Sequence, residues 1–160
     1  MRRRTLLKAS ATLPVLALLP SLPMQTLAAG DAGSPLIYLS PLQSNGSLSR
    51  CQAEVWFVAD QGNYYVVTAA DAWRAKAIAQ GLTQTQVWVG DVGAWQSADG
   101  KWRDLPSAMT QASLEADAVA HARLLTIFGR KYADEWGTWG PRFSKGLVDG
   151  SRVMLKYSPA

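Results

Sequence analysis

Residues 54–68 read EVWFVADQGNYYVVT, and this segment contains two strand-like runs separated by a turn. The first run, at 54–58, and the second, at 64–68, are rich in aromatic and β-branched residues, which favour strands. Between them, residues 60–63 combine Asp, Gly and Asn, the residue types that tight turns prefer. The segment therefore predicts a β-hairpin.

Short regular elements are also expected on both sides of this hairpin. Residues 36–39 form an extended stretch ahead of it, followed by a polar, turn-rich segment at 41–49. Behind it, the Ala-rich residues 71–80 predict a helix, with Asp71 as the N-cap and Gly81 at the end.

The middle of the chain predicts a second hairpin. Residues 86–92 alternate in the manner of a strand, and 97–100 have the composition of a turn. Residues 101–105 are therefore expected to form the returning strand, which ends at Pro106.

The last third predicts helices and one final strand. Ser113 is placed to cap a helix that continues to Phe128, and a shorter helix is expected at 130–136. The glycines and proline of 137–141 predict a loop, and residues 152–157 predict the last strand. The pattern indicates a mainly β fold in which an antiparallel sheet curls and helices lie between its strands.

The N-terminus has the composition of an export signal. Positions 3–8 read RRTLLK, which resembles the twin-arginine motif, followed by an apolar stretch at 9–22 and small residues at 28–30. The apolar stretch contains prolines and is short for a membrane span, so no stable membrane anchor is expected. We interpret residues 1–29 as a signal peptide read by the twin-arginine translocase, and 30–160 as one domain. A periplasmic or secreted location follows from this interpretation.

The charge balance changes once the signal is set aside. The full chain has 16 Lys and Arg against 12 Asp and Glu, a net charge of +4. Arg2, Arg3, Arg4 and Lys8 lie in the signal, which contains no acid, so 12 bases face 12 acids in the remaining chain. A neutral domain gives no reason to expect a nucleic-acid partner.

Two residue types limit the chemistry of the domain. Cys51 is the only cysteine, which excludes a disulfide within the chain. Its neighbours form no recognisable nucleophile or metal motif, so we interpret it as a packed or surface thiol. His121 is the only histidine, so neither a metal site built on several histidines nor a serine–histidine site fits within one chain.

The order of these segments resembles the flavin-binding split-barrel proteins, which include the pyridoxamine 5'-phosphate oxidase-like group and the deazaflavin-dependent nitroreductases. The resemblance covers residues 36–159 and implies a six-stranded antiparallel split β-barrel with flanking helices. It also implies a homodimer with two flavin sites at its interface. It rests on the two strands of the first hairpin, Gly62, Trp73-Arg74-Ala75-Lys76 and Val87-Trp88-Val89.

The resemblance assigns a phosphate site to the end of the first hairpin. In the family, a Ser or Thr that ends the strand acts together with basic residues of the next helix, which here are Thr68, Arg74 and Lys76. A hydroxyl and two cations suit a phosphate group. Trp73 packs either against the flavin ring or into the barrel. FMN is the implied cofactor.

Alternative cofactors are less favoured by the sequence. The deazaflavin branch has a Gly-Arg pair in the loop before the aromatic strand, and this pair is absent here, so Arg50 is the only cation of that loop. Haem binding would use His121 as an axial ligand. Trp139 and Arg142 lie in a segment with two Trp, an Arg and a Phe, which we interpret as an aromatic wall over a planar ligand or as a dimer contact.

The resemblance and the signal together predict an exported FMN-binding oxidoreductase that acts on a small planar acceptor. The alternative is a non-catalytic split barrel that binds or carries flavin, haem or another planar ligand. In either case we expect Arg50, Thr68, Trp73, Arg74, Lys76, Trp139 and Arg142 to contact the ligand.

Overall fold

A computed structural model of the chain describes residues 33–160. The signal peptide expected at 1–29 and the start of the domain lie outside the described residues. Among residues 33–160, every helix is too short or too polar to cross a membrane.

One antiparallel sheet contains all seven strands of the described chain, in the order β2-β1-β5-β6-β7-β4-β3. Three helices and a 3-10 turn at Lys101–Asp104 connect them. The strands are β1 (Ile37–Pro41), β2 (Ala53–Val55), β3 (Val58–Asp60), β4 (Asn63–Ala69), β5 (Gln84–Val89), β6 (Ser107–Glu115) and β7 (Arg152–Pro159). The helices are α1 (Trp73–Ala79), α2 (Ala118–Lys131) and α3 (Ala133–Asp149).

The two edges of this sheet belong to one short chain segment. β2 pairs with β1 at one edge and β3 pairs with β4 at the other, and only Trp56 and Phe57 separate them. Three Cα steps span at most about 11 Å, so the sheet must curl until its edges meet. With β2 and β3 counted as one interrupted strand, the fold is the predicted six-stranded split barrel with flanking helices.

The first hairpin has the predicted position and turn. Asp60 pairs with Asn63, and the two residues between them, Gln61 and Gly62, have φ angles of 48° and 75°. Two positive φ angles define the turn that matches the twist of the flanking strands, and Gly adopts such angles without steric penalty. Trp56 and Phe57 interrupt the strand that was expected to run through 54–58.

Alternation along β4 separates two apolar clusters. Val66 points into the barrel with Phe57, Tyr64 and Leu155. Its neighbour Val67 points outward and packs with residues of α2 and α3. The outer cluster includes Leu124, Phe128, Phe143 and Met154, which are all buried.

The prediction that residues 101–105 form the returning strand of the second hairpin is wrong. Residues Lys101–Asp104 form a 3-10 turn, and the strand that returns beside β5 is β6. The turn buries Trp102 to 2% exposure against Tyr38 and Trp88. Burial of one large indole outweighs the weak strand signal of this segment.

Two helix boundaries also differ from expectation. Ser113 lies within β6 and caps nothing; instead, the carboxylate of Asp117 accepts hydrogen bonds from the N–H groups of Val119 and Ala120 at the start of α2. Asp71 does not cap α1, whose N-cap is Ala72 without a side-chain hydrogen bond. Buried Thr110 and Ala112 give β6 the period of two that decides between strand and helix.

The loop expected at 137–141 is the middle of α3. A Cβ at Gly140 would lie 2.7 Å from the indole of Trp136, and a Cβ at Gly129 of α2 would lie equally close to it. These glycines let the indole pack between the two helices. Burial of α3 on the sheet outweighs the low helix propensity of Gly and Pro141.

Lys131, the last residue of α2, has a buried charge beside an aromatic ring. Its ammonium nitrogen lies 3.4 Å from the centre of the Phe57 ring and has no hydrogen-bond partner among the described residues. Burial lowers the pKa of Lys131 from 10.5 to about 8. A lowered pKa in the folded state means that the charged form destabilises the fold below pH 8, and that this penalty disappears as the pH rises towards 10.5.

We therefore expect Lys131→Met to raise the urea midpoint at pH 7 and to change it much less at pH 10. The methionine keeps an unbranched side chain of similar length and removes the charge. An equal change at both pH values would show that the charge of Lys131 is not its cause. A lower midpoint at pH 7 would show that the contact with the Phe57 ring offsets the burial of the charge.

Candidate functional site

A cavity of about 450 Å³ lies where the end of β4, the start of α1 and the face of α3 meet. Its wall combines aromatic and aliphatic side chains with one hydroxyl and two guanidinium groups. The lining residues are Val55, Trp56, Val67, Thr68, Ala69, Ala72, Arg74, Trp139, Phe143 and Arg152.

The short β4–α1 connection brings the hydroxyl and the first guanidinium together. Thr68 is the second-last residue of β4 and Arg74 the second residue of α1. Arg74 Nη1 donates a 2.6 Å hydrogen bond to Thr68 Oγ1. Arg74 Nε is buried without a hydrogen-bond partner within residues 33–160, and the two ion pairs of that region, Arg123–Asp60 and Lys145–Asp149, do not include it.

The second guanidinium belongs to Arg152, on the strand that pairs with β4. Arg152 begins β7 and pairs with Ala69. Its guanidinium carbon lies 5.9 Å from the Trp139 ring and 5.4 Å from the Phe143 ring. No Asp, Glu or His is among the residues that line the cavity, so its charged groups are both positive.

The aromatic wall is held by packing and by hydrogen bonds. Trp56 lies edge-on to Trp139, with ring centres 6.0 Å apart, and stacks on Tyr132 at 4.3 Å. The Tyr132 hydroxyl accepts a hydrogen bond from the N–H of Phe57 and lies 2.9 Å from the carbonyl oxygens of Phe57 and Pro35. Burial raises the pKa of Tyr132, so the hydroxyl stays protonated. These contacts fix Trp56 at the point where the barrel closes.

The structure brings together three of the predicted site residues. Thr68, Arg74 and Trp139 line the cavity. Arg142 does not line the cavity but contacts one of its lining residues, with its guanidinium carbon 5.0 Å from the Trp139 ring. Lys76 is exposed on α1 and does not line this cavity.

Arg50 and Trp73 lie in a different cavity. This second cavity, of about 710 Å³, is lined by Gln43, Ser49, Arg50, Cys51 and Trp73, and it shares no lining residue with the first. The sequence-based expectation that these two residues act with Thr68 and Arg74 at one ligand stays a prediction.

Two large side chains of the cavity were not expected from the sequence, Trp56 and Arg152. Trp56 was assigned to the middle of a strand, and Arg152 lies far from the β4–α1 segment in the sequence. Phe143 belongs to the segment that was interpreted as an aromatic wall, and it lines the cavity. The only signal for Arg152 was its place at the start of the last strand, and this becomes informative once β7 is known to pair with β4.

His121 is separate from both cavities. It lines a groove of about 370 Å³ between α2 and α3, and its Nε2 lies 2.7 Å from the carbonyl oxygen of Glu115. This placement keeps the only imidazole of the chain away from the two guanidinium groups of the first cavity.

The first cavity has the properties of a site for a planar anion. Cavities of this size suit small ligands, and a few polar groups within an apolar wall give such sites their orientation. Here the polar groups are a hydroxyl and two cations, and the apolar wall is aromatic on one side. Such a wall offers ring stacking, and the cations offer charge-assisted hydrogen bonds.

No protein-family model matches the sequence, and neither does any curated protein. Solved structures do match. HutZ, the heme storage protein of Vibrio cholerae, has a TM-score of 0.55 at 14% identity over 79% of this chain and 82% of its own. The flavocytochrome Anf3 of Azotobacter vinelandii has a TM-score of 0.53 at 14% identity over 82% of this chain and 61% of its own.

A putative pyridoxamine 5'-phosphate oxidase from Listeria innocua also matches, with a TM-score of 0.50 at 16% identity over 78% of this chain and 83% of its own. Identities this low establish the fold and leave the function open. The chain has the split-barrel fold of the pyridoxamine 5'-phosphate oxidase-like proteins.

Proposed function

We propose that this protein is an exported FMN-binding oxidoreductase that acts on a small planar acceptor. The observation that carries the proposal is the Thr68–Arg74 pair, which lines one cavity together with Arg152 and an aromatic wall. A phosphate group at one end of a planar ring system matches both features.

The phosphate would bind between the two guanidinium groups. Thr68 Oγ1 already accepts a hydrogen bond from Arg74, so its own proton is available to a ligand oxygen. Arg74 keeps several N–H donors beyond this bond, and its buried Nε has no partner in the described chain. Arg152 adds a second positive charge, and two cations balance a phosphate monoester, which carries nearly two negative charges.

The ring system would lie along the aromatic wall. Trp56, Trp139 and Phe143 provide flat apolar surfaces, and Tyr132 holds Trp56 in place. FMN, when bound, supplies the hydride or electron transfer itself. The residues of this chain bind the phosphate, orient the ring and exclude water from its covered face.

The second candidate is a split barrel that binds a planar ligand without catalysis. The observation that favours it is the lining of the first cavity, which includes no Asp, Glu or His to move a proton. The solved neighbours include a heme storage protein, so haem is one such ligand. His121 lies outside the cavity, so haem bound there would lack this axial ligand.

The proposal is tested by titrating the purified protein with FMN and, separately, with riboflavin. We expect roughly 100-fold tighter binding of FMN because charge-assisted hydrogen bonds to the phosphate contribute about 1.5–3 kcal/mol each. Quenching of flavin fluorescence measures both affinities. Equal affinities, or no binding of FMN, would remove the phosphate site from the proposal.

An absorption spectrum of the protein as isolated separates the two candidates by ligand. Two bands in the blue and near-ultraviolet indicate flavin, one blue-shifted band indicates deazaflavin, and an intense Soret band indicates haem. Reduction of a bound flavin followed by its reoxidation with a planar acceptor supports the oxidoreductase, and a flavin that does not turn over supports the carrier.

Export by the twin-arginine translocase is a separate part of the proposal. Replacement of Arg3 and Arg4 by Lys keeps both charges and removes both guanidinium groups. We expect the variant to remain in the cytoplasmic fraction, whereas the wild-type protein is recovered outside it. Equal recovery of both proteins outside the cytoplasm would contradict the route.

We also propose that the protein is a homodimer. Light scattering on the purified protein should give twice the mass of one chain. A mass equal to one chain would contradict the dimer without affecting the phosphate site, whose two cations and hydroxyl all come from a single chain.

A further inference from the structure

One hydroxyl inside the barrel is buried and has no hydrogen-bond partner among residues 33–160. It belongs to Tyr157 of β7, which is 1% exposed and lies in the apolar cluster of the barrel interior with Val66 and Leu155. Buried polar groups of folded proteins are nearly always hydrogen-bonded. The Tyr157 hydroxyl therefore indicates a partner that the side chains of this region do not supply.

Arg74 Nε is the complementary group. It is also buried without a hydrogen-bond partner in the described chain, so the two atoms do not bond to each other directly. A guanidinium N–H can only donate, whereas a phenol oxygen can accept. A single water molecule both donates and accepts, and buried waters typically bond to polar groups that lack other partners.

The side chain of Arg74 reaches the part of the barrel that contains Tyr157. Its Nη1 bonds to Thr68, which lies two residues beyond Val66 on β4 and so faces the same, interior side of the sheet. Ala75, the next residue of α1, packs in the same cluster as Tyr157. Burial raises the pKa of Tyr157, and the positive charge of Arg74 opposes this rise, as a cation near the phenol must.

We propose that one buried water molecule links the Tyr157 hydroxyl to Arg74 Nε, and that Tyr157 is thereby a positioning residue for Arg74. Thr68 holds the guanidinium at Nη1 and the water holds it at Nε, so its plane is fixed at two points. The remaining N–H groups then serve the first cavity in one orientation. A cation that is already oriented loses less entropy when an anion binds. The effect on the ligand rests on the proposed function, whereas the link itself does not.

Tyr157→Phe tests the link in the absence of any ligand. Removal of a hydroxyl that has no partner relieves an unfavourable burial and raises the urea midpoint, whereas removal of one end of the link leaves Arg74 Nε unpaired and lowers it. We expect the lower midpoint. In an Arg74→Met background no Nε remains, so the same substitution should leave the midpoint unchanged or raise it. Such a change of sign shows that the two residues belong to one network.

Two control variants separate this link from other effects. Tyr65→Phe removes a hydroxyl from the opposite side of β4, where Tyr65 packs in the outer cluster with residues of α2 and α3. Its effect on the midpoint should be the same with and without Arg74→Met. Cys51 is the other group whose charge acts on Tyr157, and a thiol is a weak hydrogen-bond partner. Tyr157→Phe should therefore lower the midpoint equally in a Cys51→Ala background.

The readout for positioning is the ratio of the FMN affinity to the riboflavin affinity. Tyr157→Phe should weaken FMN binding about tenfold, the effect of one weakened charge-assisted hydrogen bond to the phosphate. Riboflavin affinity should stay the same, because riboflavin has no phosphate. A purely structural role of Tyr157 would lower both affinities together. Tyr65→Phe should change neither of them.

Three outcomes would overturn the inference. The first is a higher urea midpoint for Tyr157→Phe in the otherwise wild-type protein, and the second is an equal midpoint change with and without Arg74→Met. The third is an unchanged affinity ratio in Tyr157→Phe when the wild-type protein prefers FMN. Failure of the flavin proposal gives a different pattern. The wild-type protein then binds FMN no more tightly than riboflavin, while the change of sign in the urea midpoint persists and supports the link.

Discussion

Arg74→Gln is expected to weaken FMN binding roughly 100-fold, the loss of about 2.7 kcal/mol that removal of charge-assisted hydrogen bonds to a phosphate implies. Arg74 donates to Thr68 and faces the first cavity, so its substitution removes both the charge and the donor that orients the hydroxyl. Fluorescence titration with FMN measures the change. Riboflavin affinity should stay the same, because riboflavin has no phosphate.

Lys76→Gln is the matched control, and it separates the structural interpretation from the sequence-based one. Lys76 lies two positions after Arg74, and the family resemblance assigned it to the phosphate. The structure leaves it exposed outside the cavity and places Arg152 there instead. We expect less than about a twofold change for Lys76→Gln, since an exposed charge is screened by salt. Arg152→Gln should weaken FMN binding about tenfold.

The opposite ranking would contradict the assignment. If Lys76→Gln weakened FMN binding more than Arg152→Gln did, the phosphate would have to lie on the exposed face of α1. The urea midpoints of all three variants should stay close to that of the wild-type protein. Arg74 loses its hydrogen bond to Thr68 and Arg152 its contacts with the Trp139 and Phe143 rings, so the urea midpoint of each variant is measured alongside its FMN affinity.

Phe57→Ala is expected to lower the free energy of unfolding by about 3–5 kcal/mol, the range for truncation of a buried phenylalanine. Phe57 is fully buried, lies in the two-residue link between the edges of the sheet and packs edge-on to Tyr64 at 5.2 Å. Truncation leaves a cavity at the closure of the barrel. The loss is a large part of the stability of an ordinary domain, about 5–15 kcal/mol. Urea denaturation monitored by tryptophan fluorescence measures it.

Phe57→Leu distinguishes lost volume from lost aromatic contacts. Leucine restores most of the volume, so we expect a decrease of less than about 1.5 kcal/mol. The Lys131 ammonium would then lose the nearer of its two aromatic contacts and keep Tyr132 at 5.5 Å, which adds to the decrease at pH 7 and not at pH 10. A Phe57→Ala variant as stable as the wild-type protein would show that the link does not hold the sheet edges together.

The first hairpin was predictable because its signals are local. Turn composition at 60–63 and β-branched residues on each side lie within 15 residues of sequence, and the hydrogen bonds of β3 and β4 form between them. The helix after β4 was predictable for the same reason, although its cap was not. The turn at Lys101–Asp104 was not predictable, because Trp102 is stabilised by contacts with Tyr38 and Trp88.

The candidate site also combines residues that are close in the sequence with residues that only the tertiary structure brings together. The family resemblance assigned Thr68 and Arg74 to one site across a short connection, and the structure joins them by a hydrogen bond. Arg152 and Phe143 enter the cavity only through the pairing of β4 with β7 and the packing of α3. Long-range pairing leaves no mark in the local composition of either segment.

The sequence by itself determined the strand-rich pattern and the first hairpin, because each depends on neighbours along the chain, and the family resemblance added the polar pair of Thr68 and Arg74. Tertiary structure decided that Trp56 and Phe57 split one strand between the two edges of the sheet, that 137–141 lies within α3, and that Arg152 lines the same cavity as Arg74. The physical reason is the burial of large side chains. Its free energy exceeds the local preferences of the chain and is realised only when distant segments meet.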